Sequence, residues 1–148
     1  MDRFEDILLG LSSHLKTPLA PDGQSSCLIS FANGVKVQLE LDKTGDKLIL
    51  GAFLGELPAG RLREQILIEA LKQNNVTQYG TFAFSLKKNH LVLFSKLAAD
   101  SVNVDTLFEL LMKMVEKAAP WKEAITQGTV PQIASTTSGG SSIFSLKS

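Results

Sequence analysis

The segment LGAFLGELPAGRLREQILIEALKQNN, residues 50–75, decides the fold because it joins a predicted strand to an unusually apolar helix. On a helical wheel, the apolar side chains of residues 61–74 span an arc of about 240°. These side chains are Leu62, Ile66, Leu67, Ile68, Ala70 and Leu71. A helix with so wide an apolar surface is buried on two sides, inside a large domain or against a second subunit. We expect a second subunit, since a chain of 148 residues is too short to enclose a helix.

Periodicity on either side of this segment predicts an α+β domain. Apolar residues at helical spacing predict a first helix over residues 3–16 and a last helix that starts near Asn103 and is kinked at Pro120. Alternating apolar and polar residues predict strands at 27–31, 35–41, 47–54, 81–87 and 91–97. The resulting order, α-β-β-β-α-β-β-α, predicts a twisted antiparallel sheet.

Three local signals refine this prediction. Strand 47–54 is apolar on both faces, which predicts a central strand that is covered on both sides. Asn33-Gly34 predicts a hairpin between the first two strands, because both residues tolerate positive φ. Gly55 and Gly60 are interpreted as turn and helix-start residues, because the G-x-x-x-x-G-K-[ST] pattern of a phosphate loop is absent.

Charge and composition exclude several classes of partner. Fifteen basic and fifteen acidic residues balance, whereas nucleic-acid binding depends on an excess of positive charge. No apolar run is long enough to span a bilayer, so we expect no membrane insertion. The first residues lack the basic start and apolar run of a signal peptide. A single cysteine, Cys27, excludes an internal disulfide framework and fits a reducing cytosol.

The residues that usually carry chemistry form no recognisable site. His14 and His90 lie in no motif, and each is interpreted as a solvated side chain. Cys27 alternates with the inward residues Ile29 and Phe31, which predicts a buried, inert thiol. The spacing of His, Cys and carboxylate residues fits no metal site. We therefore expect no catalytic, cofactor or metal site.

Three segments carry a resemblance to a known family: LILGAFLGELP at 48–58, ALKQNN at 70–75, and GTFAFSLK at 80–87 followed by HLVL at 90–93. Their order and spacing resemble the class I type III secretion chaperones of Gram-negative bacteria, typified by the Tir and YopE chaperones. The resemblance implies a cytoplasmic homodimer without enzymatic activity or cofactor. It also implies that the chaperone holds the N-terminal region of a secreted effector in extended form and delivers it to the export apparatus, with the export ATPase as a further partner.

The resemblance also implies two sets of site residues. Helix 61–74 and strand 81–87 should lie at the two-fold interface, whereas the first helix and nearby strands should bind the effector. The predicted interface residues are Ile66, Leu67, Ile68, Leu71, Phe82 and Phe84. The predicted effector-binding residues are Leu9, Leu15, Leu19, Leu28, Leu50 and Phe53.

Two other functions are possible for a chain with this sequence pattern. A small-ligand carrier or regulatory dimer with the same α+β fold is the second hypothesis, and a hydrolase or transferase is the least supported.

Residues 1–126 are predicted to form the domain and 127–148 a flexible tail, because Ser, Thr and Gly supply thirteen of the residues from Thr126 onward. The apolar end of this tail, 143–146, is either an unstructured terminus or a segment that docks in the effector groove.

Overall fold

The computed structural model describes residues 3–22, 25–74 and 79–131. Its helices and strands follow the predicted order, which confirms the α+β fold. The elements are α1 (Arg3–Leu15), β1 (Ser26–Ser30), β2 (Lys36–Leu41), β3 (Lys47–Glu56), α2 (Arg61–Asn74), β4 (Thr81–Ser85), β5 (His90–Ala98), a 3-10 turn (Ala99–Ser101) and α3 (Val104–Gln127).

The five strands form one antiparallel sheet in the order β1-β2-β3-β5-β4. The strand β3 is central, as predicted, and its even-numbered residues 48–54 face the helices and are buried. The described residues cover its other face only in part: Ile49 and Gly51 are half-buried, and Phe53 is 41% exposed. The prediction of a strand covered on both sides is therefore wrong for the single chain.

The helix α3 packs against the central strand β3, α1 packs against α3, and α2 contacts the edge strand β4. The side chain of Asn103 accepts a hydrogen bond from the Thr106 N–H and caps the start of α3, which confirms the predicted start. The helix continues through Pro120, and the ring of Trp121 contacts that of Phe82 in β4, with centroids 4.3 Å apart and planes tilted by 37°. Gly128 ends the helix in the left-handed conformation, with φ of 74°.

The first hairpin forms where the sequence predicts it, although Asn33 contributes differently. The Phe31 N–H donates to the Val35 carbonyl at 2.9 Å, and the Gly34 N–H donates to the Phe31 carbonyl at 3.0 Å. Gly34 has a φ of 90°, whereas Asn33 does not adopt positive φ. Instead, the side chain of Asn33 accepts a hydrogen bond from the Val35 N–H at 3.1 Å. Asn33 therefore stabilises the turn through its side chain.

The two glycines before α2 have different roles. Gly60 precedes α2 directly with a φ of 145°, in agreement with its interpretation as a helix-start residue. Gly55 is not in a turn: it lies within β3, where the register with β5 shifts between Phe53 and Gly55. An added Cβ at Gly55 would lie 2.6 Å from Cγ2 of Ile125, so the close approach of α3 requires glycine there.

The described part of the predicted tail packs against the domain. The helix α3 ends at Gln127, after which Val130 contacts the core and Pro131 is buried. The rest of the predicted tail, including the apolar segment 143–146, lies outside the described residues.

Candidate dimer and effector-binding surfaces

The helix α2 exposes apolar side chains that its own domain does not cover. Ile66 and Ala70 are buried against the sheet, whereas Ile68 is 54% exposed and Leu71 is 66% exposed. Leu67, which lies between the buried and the exposed sides of the helix, is half-buried. We call Leu67, Ile68 and Leu71 the α2 surface. Since large exposed apolar patches usually mark interaction sites, the α2 surface is the first candidate site.

Polar contacts at both ends of α2 fix its position on the sheet. Near the start, Arg63 Nη1 donates to the Leu57 carbonyl at 3.3 Å and to Asn89 Oδ1 at 3.0 Å. The Arg63 guanidinium also lies 5.4 Å from the ring centroid of Phe84. At the last residue, Asn74 forms two hydrogen bonds with the backbone of β4. These contacts determine which residues of the helix point outward.

A mainly apolar cleft of about 230 Å³ lies between part of α2 and β4. It is lined by Leu67, Ala70, Leu71, Asn74, Phe82, Ala83, Phe84 and Leu91. The α2 surface and this cleft are continuous, because Leu67 and Leu71 belong to both.

The predicted interface residues divide into two groups. Ile68 and Leu71 are exposed, and Leu67 and Phe84 are half-buried. Ile66 and Phe82 are only 0% and 5% exposed, so this chain itself covers them. We correct their assignment: they support the α2 surface from below and offer almost no area to a second subunit.

The predicted effector-binding residues lie on both sides of the sheet. Leu9 is 62% exposed on α1, and Leu28 and Phe53 are exposed on the face of the sheet opposite the helices. Leu15 and Leu19 are half-buried against the core, and the Leu19 N–H donates to Ser12 Oγ at 3.0 Å. These residues therefore do not form one continuous surface within the single chain.

Leu50 does not belong to the effector-binding set. It is 0% exposed because its side chain points into the core with Leu48 and Ala52. A residue without exposed area cannot contact an effector while the domain is folded, so Leu50 is excluded from the candidate surface.

The open face of the sheet contains residues that the predicted set lacks. Val92 pairs with Phe53, and Phe94 pairs with Gly51, which places both β5 side chains beside Phe53. The Phe53 ring also meets the His90 ring edge-on, with centroids 4.5 Å apart. The apolar residues on the second face of β5 are a sequence signal that could have found Val92 and Phe94.

Cys27 and His14, two side chains that could react chemically, are each engaged in the packing of the domain. Cys27 is buried, and burial raises the pKa of its thiol. His14 Nε2 lies 2.8 Å from Asp105 Oδ1, and its ring stacks on Phe108 with centroids 4.8 Å apart. His14 therefore links α1 to α3.

Within residues 3–22, 25–74 and 79–131, no three His, Cys, Asp or Glu side chains form a cluster that could hold a metal ion. In the same ranges, no helix combines the length and apolarity needed to cross a bilayer.

Lys117 is a half-buried residue of α3, and its amino group lies over the ring of Phe82. Its Nζ atom is buried and has no hydrogen-bond partner among the residues that the structure describes. It lies 5.0 Å from the centroid of the Phe82 ring. Desolvation by burial lowers the pKa of Lys117 from 10.5 to about 8. The charged form of Lys117 is therefore less favourable in the folded protein than in the unfolded chain.

We expect Lys117→Met to raise the melting temperature at pH 7 by a few degrees. Below pH 8, Lys117 is charged in both states, and the folded state bears the desolvation cost. Between pH 8 and 10.5 the unfolded chain binds more protons at this site, so this contribution to the free energy of unfolding rises with pH. Melting curves of wild type and variant should therefore converge towards pH 10. Lys113→Met, which changes an exposed lysine on the same helix, is the control. An equal shift in both variants, or one independent of pH, would contradict this account.

Comparison with known proteins assigns the chain to a family. The profile of the Tir chaperone protein (CesT) family matches residues 6–122. The chain belongs to this family. This match confirms the family resemblance of the sequence and makes the protein a type III secretion chaperone. Among curated protein sequences, none is significantly similar to this chain.

Solved structures of secretion chaperone complexes share the fold. A chain of the HopA1–SchA chaperone–effector complex superimposes with a TM-score of 0.68 at 19% identity, covering 82% of this chain and 94% of its own length. A chain of the Yersinia pestis complex of the chaperone SycH with a YscM2 fragment gives 0.60 at 18%, covering 78% and 96%. A chain of the Pseudomonas aeruginosa ExoT–SpcS complex gives 0.61 at 16%, covering 78% and 94%. At these identities, the similarity shows the fold.

Proposed function

We propose that this chaperone acts as a homodimer in the bacterial cytoplasm. In this proposal, it holds the N-terminal region of a secreted effector, its client, in extended form and keeps the client competent for export. The proposal rests on exposed apolar side chains in two separate places. One is the α2 surface, and the other consists of β1 and the face of the sheet opposite the helices. Two such surfaces allow self-association and client binding at the same time. The export ATPase is a further proposed partner, on the family relationship alone.

The α2 surface supports the proposed homodimer. Ile68 and Leu71 project from a helix that polar contacts hold against the sheet, so the domain cannot bury them by a small rotation of α2. A second copy that presents the same surface across a two-fold axis would remove them from water. The apolar cleft beside β4 offers space for side chains of that copy.

The edge strand β1 supports client binding by strand addition. Hydrogen bonds from Leu41 N–H to Ser25 O and from Phe31 N–H to Val35 O show that odd-numbered residues of this segment turn towards β2. The backbone groups of Leu28 and Ser30 therefore point away from the sheet, and both side chains are exposed. An extended client can pair with this edge and place alternate apolar side chains beside Leu28.

Affinity purification tests the proposed function. The full chain, tagged and expressed in the source bacterium, should retain a secreted protein, and deletion of that protein's N-terminal region should abolish the retention. Mass spectrometry under native conditions would detect a bound small molecule. Such a molecule, in place of a secreted protein, would favour the ligand-carrier alternative and contradict our proposal.

We expect Leu28→Asp and Leu9→Asp each to weaken client binding by at least about tenfold without dissociating the dimer. Removing a large apolar contact costs about 1.4 kcal/mol or more, and a charged replacement must also be desolvated. Titration calorimetry with the client segment and light scattering on the same samples measure the two properties. Met112→Asp, on the exposed side of α3, is the control. Unchanged affinity in both variants would place the client elsewhere.

A further inference from the structure

We propose that Asn74 closes the β4 edge of the sheet against pairing with another extended chain. The last residue of α2 places its side-chain amide beside Phe82, in the middle of β4. The Phe82 N–H donates to Asn74 Oδ1 at 2.7 Å, and Asn74 Nδ2 donates to the Phe82 carbonyl at 3.1 Å. A primary amide carries both a donor and an acceptor. It therefore makes the same two bonds that a backbone residue of an added antiparallel strand would make.

The direction of the β4 backbone shows how much of the edge this pair occupies. The Asn89 N–H donates to the Ser85 carbonyl at 2.7 Å, so Ser85 turns its carbonyl towards β5. Backbone direction alternates along a strand, and within β4 only Phe82 and Phe84 turn their N–H and C=O groups outward. Asn74 satisfies both groups of Phe82. Phe84 alone remains, and one open residue cannot hold an added strand in register.

The two edges of the sheet are therefore unequal. Open edges attract strand pairing with other chains, and proteins usually block the edges that are not used. On β1, the Asp22 N–H donates to the outward carbonyl of Ser26 at 2.8 Å, and the backbone groups of the successive outward residues Leu28 and Ser30 remain open. On β4, Asn74 occupies the central residue, so no two successive outward residues of the strand are open. With respect to the proposed function, on which this consequence rests, a client strand is directed to β1. Two copies then meet through the side chains of α2, and their β4 strands do not join into one sheet.

Replacing Asn74 by alanine tests this role. We expect the amide of Phe82 to exchange with solvent at least about tenfold faster, and species larger than the wild-type assembly to form with increasing protein concentration. Gln73→Ala is the matched control, because its side-chain amide lies one residue earlier and contacts Glu69 of the same helix at 3.4 Å. Sedimentation velocity over a concentration series and amide exchange measure both effects. An Asn74→Ala protein that keeps the wild-type size distribution at all concentrations would overturn the proposal.

A measurement on the wild-type protein covers the case in which Asn74→Ala does not fold. The Phe82 amide, although on an edge strand, should exchange as slowly as amides within the ladder between β3 and β5. Exchange at the rate of an unprotected amide would overturn the proposal. Both experiments use the protein without a client. Their results therefore test the role of Asn74 even if no effector is captured and the proposed function is wrong.

Discussion

Replacing Ile68 and Leu71 together by glutamate should convert the proposed homodimer to a folded monomer. Both side chains are more than half exposed, at 54% and 66%, so the substitutions remove little from the core of the single domain. Four such side chains leave the interface, two from each copy. At about 1.5–3 kcal/mol for each fully buried side chain, scaled to the exposed part, the loss is about 3–7 kcal/mol. That loss raises the dissociation constant by about 10²- to 10⁵-fold.

Sedimentation velocity at micromolar concentrations measures this effect, and circular dichroism checks that the variant is folded. Leu9→Glu is the control, because Leu9 is equally exposed on α1 and belongs to the proposed client surface. We expect this variant to remain dimeric and to bind clients weakly, in contrast to the α2 variant. A dimer that survives the double substitution would show that the α2 surface does not hold the two copies together.

The sequence predicted all three members of the α2 surface but did not separate them from the buried residue Ile66 of the same helix. Helical periodicity and the width of the apolar arc depend only on residues 61–74, and both are visible without a structure. Which part of the arc points outward depends on the docking of the helix, through Arg63 on Asn89 and Asn74 on Phe82. These partners lie outside the helix, 26 and 8 residues away along the chain, so the periodicity of residues 61–74 does not contain them. Ile66 was therefore assigned to the interface although its own domain buries it completely.

The error at Leu50 has a different cause. Residues 50 and 53 are an odd number apart, so their side chains point to opposite faces of a strand, and the two could not share one surface on the sheet. The alternation was available from the sequence. Because β3 is apolar on both faces, however, the sequence did not show which face the helices cover. That information required the packing of α3 on the sheet.

Gly55 illustrates a contact that local patterns cannot predict. A glycine shortly before Leu57-Pro58 fits a turn, and the strand was expected to end at Leu54. The strand instead continues to Glu56 with an irregular register, and Ile125 of α3 lies directly over Gly55. The two residues are separated by most of the domain in sequence. The reason for glycine at this position is therefore a tertiary contact.

Gly55→Ala should lower the free energy of unfolding by about 2–6 kcal/mol. The backbone at Gly55 has a φ of 148°, which costs about 1–3 kcal/mol for a residue with a Cβ. The new Cβ would also lie 2.6 Å from Ile125 Cγ2, and forcing the two apart costs about 1–3 kcal/mol. Urea denaturation of the full chain measures the sum. Gly51→Ala is the matched control, since Gly51 lies in the same strand and has no positive φ. Apart from its chain neighbours, no described residue has an atom within 4 Å of a Cβ added there.

Combining Gly55→Ala with Ile125→Ala separates the two causes. The double variant removes the steric conflict but keeps the strained φ, so it should be more stable than the sum of the single effects by about 1–3 kcal/mol. The remaining destabilisation at Gly55 is the backbone term. If the two substitutions were simply additive, the contact with Ile125 would not explain the glycine. If Gly55→Ala were as mild as Gly51→Ala, neither the backbone nor the contact would require glycine at this position, and α3 would have to be able to move away from β3.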